Sequence, residues 1–411
     1  GRIEGLRDLD PGVFLEVNPV ITGSKSGAWS SDAGRLAWTP SQQDVGLNLS
    51  YGLTSNLTLT GTVNPDFSQV EADAGQITVN ERFALFLPER RPFFLEGTEL
   101  FQMPRRLVYT RAIANPTGAA KVSGKVGGTN IAYLGAVDDL GGGAERPVFN
   151  VLRVRRDVGA SSTVGAVYTD RTLSGDDFNR VAGLDGRFII GGRYTLELLA
   201  AGSVDGRAGI ETDWGSLVSA RLDRSGRTFD FGLSFEDATD DFRARSGFIR
   251  RVGVTEARAD AGYTFRGERG AFVESWGPSI SVEGLWNRSD FWSGGGPLET
   301  EAEFDVRLSL RGNWGASVSL GRSTFQTPDS DYDGLVVSGT EGVDGGAGTT
   351  FAQRPWLFEG MISFRARCLV RSWERVLLSF GGGWSESQLF VRSTGAPVDL
   401  GDRWSGEVGV T

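Results

Sequence analysis

The chain has 411 residues, 39% of them hydrophobic, and no stretch approaches the ~20 apolar residues of a membrane-spanning helix, which excludes a helical membrane protein. The net charge of -10 argues against a nucleic-acid partner, since such partners attract basic surfaces. There is no histidine and only one cysteine, Cys368, so histidine-based catalysis, histidine metal sites and internal disulfides are excluded. We therefore expect no enzymatic activity.

Glycine is unusually frequent, with 59 residues against 14 prolines. A glycine inside a helix costs roughly 1 kcal/mol, whereas tight turns between strands favour it. The composition therefore indicates a sheet-rich protein with many turns.

Apolar and polar residues alternate along much of the chain, the pattern of strands with two different faces. The clearest runs are 229–236, 256–266, 301–311 and 362–370. Each lasts about 10 residues, the length of a tilted strand that crosses a bilayer. The pattern predicts about 18 strands between residues 11 and 411. Cys368 lies on the apolar face of the last of these runs, and we assign it no chemistry.

Short turn signals alternate with longer links, as at the periplasmic and extracellular ends of membrane barrels. The turns are predicted at Gly127-Gly128, Gly191-Gly192, Ser225-Gly226 and Gly312-Asn313, and the links at 138–146, 237–247, 287–297 and 326–354. Tryptophans recur near predicted strand ends, which is typical of the aromatic girdles at the two membrane interfaces. They are Trp214, Trp276, Trp286, Trp292, Trp314, Trp356 and Trp373.

We therefore predict an all-β fold: a large antiparallel transmembrane β-barrel in the lipid of the bacterial outer membrane. A soluble β-sandwich also alternates but does not need such long strands, and no repeat of 20–50 residues favours a solenoid or propeller. The barrel is predicted to occupy 1–411 and to be incomplete. The first residues lack a signal-peptide pattern, and the last residues have the pattern of a strand interior.

Residues 64–104 interrupt the alternation and combine several phenylalanines with charges of both signs. A loop of this length without a sheet of its own is uncommon and is often functional. Because an exposed loop with this aromatic content would be adhesive, we predict that 64–104 lies inside the barrel as a plug-like lumen insertion.

The segments Val63–Asp73, of sequence VNPDFSQVEAD, and Phe86–Gly97, of sequence FLPERRPFFLEG, closely resemble the DUF5916 family. Further resemblance lies at 109–111, 118–125, 179–185 and 246–253. The resemblance implies an outer-membrane barrel that follows a carbohydrate-binding family 9-like domain. That domain would precede Gly1, so its sugar-binding residues are not carried over.

Charged residues flank two phenylalanines in the insertion: Glu89, Arg90, Arg91 and Glu96 lie beside Phe93 and Phe94. One interpretation is a charged constriction that selects solutes, as in pores. The other is a buried salt-bridge cluster that holds the insertion to the wall, and we favour it.

Two acidic groups suggest further chemistry. Asp66, Glu71 and Asp73 could bind a divalent cation or act as general acid and base, or they are simply polar residues that face the lumen. Asp329, Asp331 and Asp333 precede a glycine, like the first half of a calcium loop, but Thr340 stands where such a loop needs an acidic ligand. Calcium is the one cofactor to consider, and an acidic loop tip is the competing interpretation.

The favoured function is a channel or transporter-like barrel for a carbohydrate or another small nutrient, with the insertion restricting the pore. The alternative is an occluded structural or assembly barrel that displays a periplasmic domain or docks surface proteins. No nucleic acid is expected as a partner.

Overall fold

The structure is a computed structural model that describes residues 14–25, 27–30, 34–38, 42–65, 86–139, 146–312, 314–325, 359–373, 376–390 and 397–410. It is an all-β fold with only short helices, as predicted. Nineteen strands form one large antiparallel sheet, against about 18 predicted from the pattern. Within the described ranges this sheet is not closed into a barrel. None of the described helices is long and apolar enough to cross a membrane.

The first strands lie on either side of the predicted insertion. They are β1 (Leu15–Ser24), β2 (Gly27–Ser30), β3 (Arg35–Trp38), β4 (Gln42–Thr54), β5 (Leu57–Val63), β6 (Pro116–Val126), β7 (Thr129–Asp138), β8 (Val148–Val158), β9 (Ser162–Thr172) and β10 (Phe178–Ile190). Between β5 and β6 stand the helix α1 (Pro92–Leu95) and two one-turn 3-10 helices, Thr98–Phe101 and Thr110–Ala112.

The remaining elements follow in chain order. They are β11 (Tyr194–Arg207), β12 (Ile210–Arg224), β13 (Phe229–Ala238), β14 (Val254–Tyr263), β15 (Phe265–Arg266), β16 (Val273–Asn287), α2 (Arg288–Ser293), β17 (Glu299–Leu310), β18 (Trp314–Phe325), β19 (Glu359–Trp373), β20 (Val376–Phe390) and β21 (Pro397–Val410).

The chain divides into two compact units, which are described separately below. Unit 1 comprises Gly1–Phe188, Leu198–Val218 and Asp241–Val252, and unit 2 comprises Ile189–Glu197, Ser219–Asp240 and Gly253–Thr411. In unit 1 an antiparallel ladder runs from β1 through β4 to β10. In unit 2 a second ladder runs from β13 through β14 and β16 to β21. Strands β2 and β3 form a separate hairpin.

The predicted turns have the backbone that hairpins require. Gly127, Gly128, Gly191 and Gly192 all have positive φ, between 53° and 77°. Two consecutive left-handed residues match the right-handed twist of the flanking strands, and glycine adopts them without steric cost. Tight hairpins at these positions are therefore confirmed.

In unit 1 the two faces of the sheet differ in burial, and the buried face mixes polar with apolar residues. The buried face carries Lys121, Arg153 and Asn179 among its apolar residues, each at most 2% exposed. The opposite face exposes large apolar side chains, including Tyr168 at 41% and Leu184 at 67%. A water-soluble sheet normally presents polar side chains to water on its exposed face instead.

Unit 2 also exposes large apolar side chains on one face. Leu233, Val282 and Phe304 lie on a face where they are 43–48% exposed. The other face carries ion pairs, such as Arg258 Nη1 to Glu283 Oε2 at 3.2 Å. One face of these strands is therefore apolar, and the charges collect on the opposite face.

Candidate functional site

The described part of the predicted insertion packs on the buried face of unit 1. We call residues 86–115 the first insertion. Pro92 opens α1, where its fixed φ suits the first helical position, and Gly97 follows α1 with a φ of 72° that a side chain would disfavour. The segment thus folds into compact turns that need no partner strand.

Apolar side chains hold the first insertion against three strands. Phe94, Phe101 and Ile113 form a cluster of buried residues with Leu134 of β7 and Phe149 of β8. Phe93 meets Phe94 edge to face, with ring centroids 5.0 Å apart. Burial of each such side chain stabilises the packing by about 1.5–3 kcal/mol. The two phenylalanines singled out in the sequence therefore belong to the packing of the insertion on the sheet.

A buried bidentate ion pair connects the beginning and the end of the first insertion. Arg91 donates Nε to Glu89 Oε1 at 2.8 Å and Nη2 to Oε2 at 2.7 Å, and both side chains are less than 10% exposed. Arg91 also donates to the carbonyl oxygens of Ile113, at 2.6 Å, and Thr110, at 2.9 Å. Its guanidinium lies 4.3 Å from the centre of the Phe94 ring. One arginine therefore joins residues 89 and 113.

The predicted charge cluster divides into two in the structure. Glu89 and Arg91 form the buried pair, and the Arg90 backbone amide donates to Glu89 Oε1 at 3.0 Å. The Glu96 carboxylate is 61% exposed and lies 3.9 Å from Lys121 Nζ. The geometry supports a structural role for Glu89 and Arg91, whereas a role of the cluster in solute selection stays a prediction.

Lys121 of β6 was not among the predicted site residues. Its ammonium donates to the carbonyl oxygen of Phe93 at 2.7 Å and to that of Glu96, at the end of α1. It also lies 5.1 Å from the centre of the Phe93 ring. A lysine at the C-terminal end of a helix satisfies carbonyls that have no partner within the helix. The wall of the sheet thus holds α1 by a cation as well as by apolar contact.

We predict that the first insertion loosens in acid. Burial alone raises the pKa of Glu89, but hydrogen bonds from Arg91 and Thr110 outweigh burial and hold the pKa below its ordinary 4.5. Because the pKa is depressed in the folded state, the pair contributes fully above pH 4.5, and its contribution falls as the pH drops through the lower folded value. An acid-active protease that cleaves at phenylalanine can be used at each pH. Its cleavage at Phe93 and Phe94 should accelerate as the pH falls below 4.5. Glu89→Gln should lack this component, and an unchanged pH dependence in that variant would refute the assignment.

A second segment, which the sequence analysis treated as an ordinary link, also folds onto the buried face of unit 1. We call residues 241–252 the second insertion. Phe242 is fully buried, and its backbone crosses Gly215 of β12 so closely that a Cβ there would collide with it. Gly215 therefore permits the close approach of this segment to the sheet.

A polar network holds the second insertion to β10 and β11. Asn179 donates to Asp205 Oδ1 and to the Arg243 carbonyl, each at 3.0 Å, and accepts the Arg245 backbone amide at 2.8 Å. Arg245 pairs with Asp205 at 2.8 Å and with Asp177 at 2.6 Å. Burial opposes the charge of Arg245, but its bonds to Asp205 and the charges of both aspartates raise its pKa above the ordinary value. Arg245 therefore holds the second insertion as a cation.

The two insertions contact each other. The backbone amide of Tyr109 donates to the Ser246 carbonyl at 2.8 Å, and that of Phe248 donates to the Arg106 carbonyl at 2.7 Å. Phe248 lies 5.3 Å from Tyr109 and 5.4 Å from Phe86 between ring centres. The first and second insertions therefore form one continuous layer over the buried face of unit 1.

The remaining predicted site residues lie outside the described part of the chain. They are Asp66, Glu71 and Asp73 in the acidic group, and Asp329, Asp331 and Asp333 in the predicted calcium loop. Within the described ranges no three acidic or cysteine side chains converge to hold a metal ion. The calcium interpretation stays a prediction.

The fold and the site define an all-β protein with a large antiparallel sheet whose buried face, in unit 1, is covered by inserted segments. Residues 16–129 match the family described as Domain of unknown function (DUF5916), and the predicted resemblance is confirmed over these residues. The matched range includes the first insertion. The similar segments at 179–185 and 246–253 lie beyond it. No curated protein matches the chain.

Proposed function

We propose that this chain is an outer-membrane β-barrel of the channel or transporter type, whose pore is restricted by its two insertions. The observation that carries the proposal is the large apolar surface that both units expose on one face of the sheet, opposite a face that carries buried charges in unit 1 and ion pairs in unit 2. Lipid outside a barrel and water inside it favour this distribution. Closure of the sheet into a ring is part of the proposal.

Strand length supports the same conclusion. Strands β11, β12 and β16 have 14, 15 and 15 residues. A tilted strand needs only about 9–11 residues to cross a bilayer, and ordinary globular strands average about 5–6. In this proposal the short turns lie in the periplasm and the longer links lie outside the cell.

The solute would be a carbohydrate or another small nutrient. The proposed lumen is polar, and the resemblance to a family with a carbohydrate-binding partner domain points to the same class. The first insertion would set which solutes pass, because it packs on the buried face of unit 1, which is the proposed lumen side of the sheet.

An occluded barrel with a structural or assembly role is the second candidate. It would display a periplasmic domain or dock surface proteins. It is favoured by how firmly the first insertion is held, by the buried Glu89–Arg91 pair and by Lys121. A gate that must open often would need weaker contacts.

Conductance across a planar lipid bilayer separates these functions. The amide of Asn64 donates to the Thr117 carbonyl at 2.8 Å, so a short glycine-serine turn can replace residues 65–115 within the full chain. We expect large, ohmic conductance from this variant. Small solute-sensitive steps from the unaltered chain would identify a channel, and silence from it would identify an occluded barrel.

A matched control is the removal of the β2–β3 hairpin. Ser24 and Gln42 are paired in the ladder, so the hairpin between them can be shortened without stretching the sheet. This deletion should leave the conductance unchanged. If neither the unaltered chain nor the 65–115 variant conducts after verified insertion into the bilayer, the pore does not exist.

A further inference from the structure

Unpaired arginines collect at the short-turn end of unit 2. Four connections at this end, at 191–193, 224–228, 264–272 and 311–313, contain six arginines and one glutamate. We call the six the arginine rim: Arg193, Arg224, Arg227, Arg266, Arg269 and Arg311. Such an excess of one charge at one end of a sheet creates a strong local field.

The four connections are neighbours in space. The amide of Ser225 donates to the Arg193 carbonyl at 2.8 Å, and Arg266 Nη2 donates to the Arg227 carbonyl at 3.0 Å. The amide of Arg311 donates to the Phe272 carbonyl at 2.8 Å. The arginine rim is therefore one continuous surface.

Elsewhere in unit 2, some arginines have a carboxylate partner. Arg221, Arg258 and Arg288 each form an ion pair with a carboxylate. Within the part of unit 2 that the structure describes, no arginine of the rim is in an ion pair. Five of the six are exposed, and Arg224 is half-buried against aromatic rings.

A belt of exposed aromatic side chains lies directly beside the arginine rim. Phe265 stacks on Trp276, with ring centroids 4.4 Å apart and planes 12° from parallel. Trp276 is 44% exposed, Trp314 47% and Phe272 70%. Exposed tryptophan and tyrosine in a belt are typical of the level of lipid headgroups.

We propose that the arginine rim and its aromatic belt bind the headgroups of anionic phospholipids in the leaflet next to the short turns. The inference rests on the proposed membrane insertion and adds the lipid class. Aromatic rings at the headgroup level place the unpaired guanidinium groups where lipid phosphates lie, and arginine binds phosphate oxygens in a bidentate manner. Charge complementarity thus selects an anionic lipid over a zwitterionic one.

The test measures lipid selectivity of the full chain in vesicles. Lipids with brominated acyl chains quench tryptophan fluorescence on contact, and competition between brominated phosphatidylglycerol and brominated phosphatidylcholine gives their relative affinities. One arginine near an anionic surface contributes about a five-fold preference at low salt. We expect phosphatidylglycerol to be favoured by roughly ten-fold or more, with the preference falling as salt rises.

Two matched variants isolate the charge. Changing Arg193, Arg227, Arg269 and Arg311 to glutamine should lower the preference at least about five-fold. Changing the same four to lysine should keep most of it. Equal quenching by both lipids in the inserted, unaltered protein would overturn the lipid assignment. Loss of the preference for phosphatidylglycerol on addition of soluble polyglutamate would also overturn it, because it would indicate an acidic protein partner. Failure to insert into either vesicle, judged by absence of quenching, would instead refute the proposed membrane function.

Discussion

Replacing Arg91 with alanine should release the first insertion from the sheet. The change removes both bonds to Glu89 and leaves its carboxylate buried without its cation, and it also removes the donors to the Ile113 and Thr110 carbonyls. Breaking one partner of a buried pair typically costs about 3–5 kcal/mol. Chymotrypsin cleavage at Phe93 and Phe94 should therefore accelerate at least roughly 100-fold, if cleavage follows local opening.

Two further variants make the Arg91 prediction specific. Glu96→Ala removes an exposed carboxylate 3.9 Å from Lys121, and it should change cleavage by less than about five-fold. The double variant Glu89→Ala/Arg91→Ala should cleave more slowly than the product of the two single effects predicts, since no buried charge is left without its partner. Strict additivity would show that the pair is not coupled.

Replacing Gly215 with alanine should displace the second insertion. The new Cβ would collide with the backbone of Phe242, which cannot move aside as a flexible side chain could. Lifting this segment exposes Phe242, which is fully buried, and loss of a buried phenylalanine typically costs about 3–5 kcal/mol. Trypsin should then cleave at Arg243 and Arg245 roughly 100-fold faster.

Gly202 of β11 provides the matched control. A Cβ at Gly202 would lie 3.8 Å from the nearest atom, the Gly215 carbonyl oxygen, which is an ordinary contact. Gly202→Ala should leave cleavage at Arg243 within about two-fold of the unaltered chain, because it alters no close approach. Equal effects of the two substitutions would mean that the crossing of Phe242 over β12 does not hold the second insertion.

Much of the strand pattern could be predicted because alternation is a local property of the sequence. The run predicted at 229–236 lies within Phe229–Ala238, and the run at 301–311 corresponds to Glu299–Leu310. The run predicted at 256–266 is divided between Val254–Tyr263 and Phe265–Arg266. The alternation of apolar residues continues across the break between the two strands, so the pattern alone could not locate this break.

The partners within the insertions could not be predicted in the same way. Arg90 and Arg91 are adjacent and chemically identical, and only the turn before α1 brings Arg91 to Glu89. The contacts of Arg91 with Thr110 and Ile113 span about twenty residues without a repeating pattern. Sequence composition therefore indicated a buried charge cluster without giving its pairing.

The second insertion gave a weaker signal, because 241–252 is only twelve residues long. The segments 179–185 and 246–253 resembled the family, although they are far apart in the sequence. In the structure Asn179 binds the Arg245 backbone amide directly before the second of them. The resemblance of both distant segments to the same family was the available indication that they meet.

The most direct test of the membrane proposal is the environment of alternate residues along one strand in each unit. Spin labels at single cysteines, introduced at 181–186 in β10 and at 280–285 in β16 of a Cys368→Ser chain in vesicles, report contact with lipid through collisions with oxygen. We predict maxima at Ala182, Leu184, Ile280 and Val282, with minima at the positions between them, because lipid faces every second residue of a barrel wall. Uniform oxygen accessibility along either strand, or access of a water-soluble nickel chelate to Leu184 and Val282, would contradict the proposal.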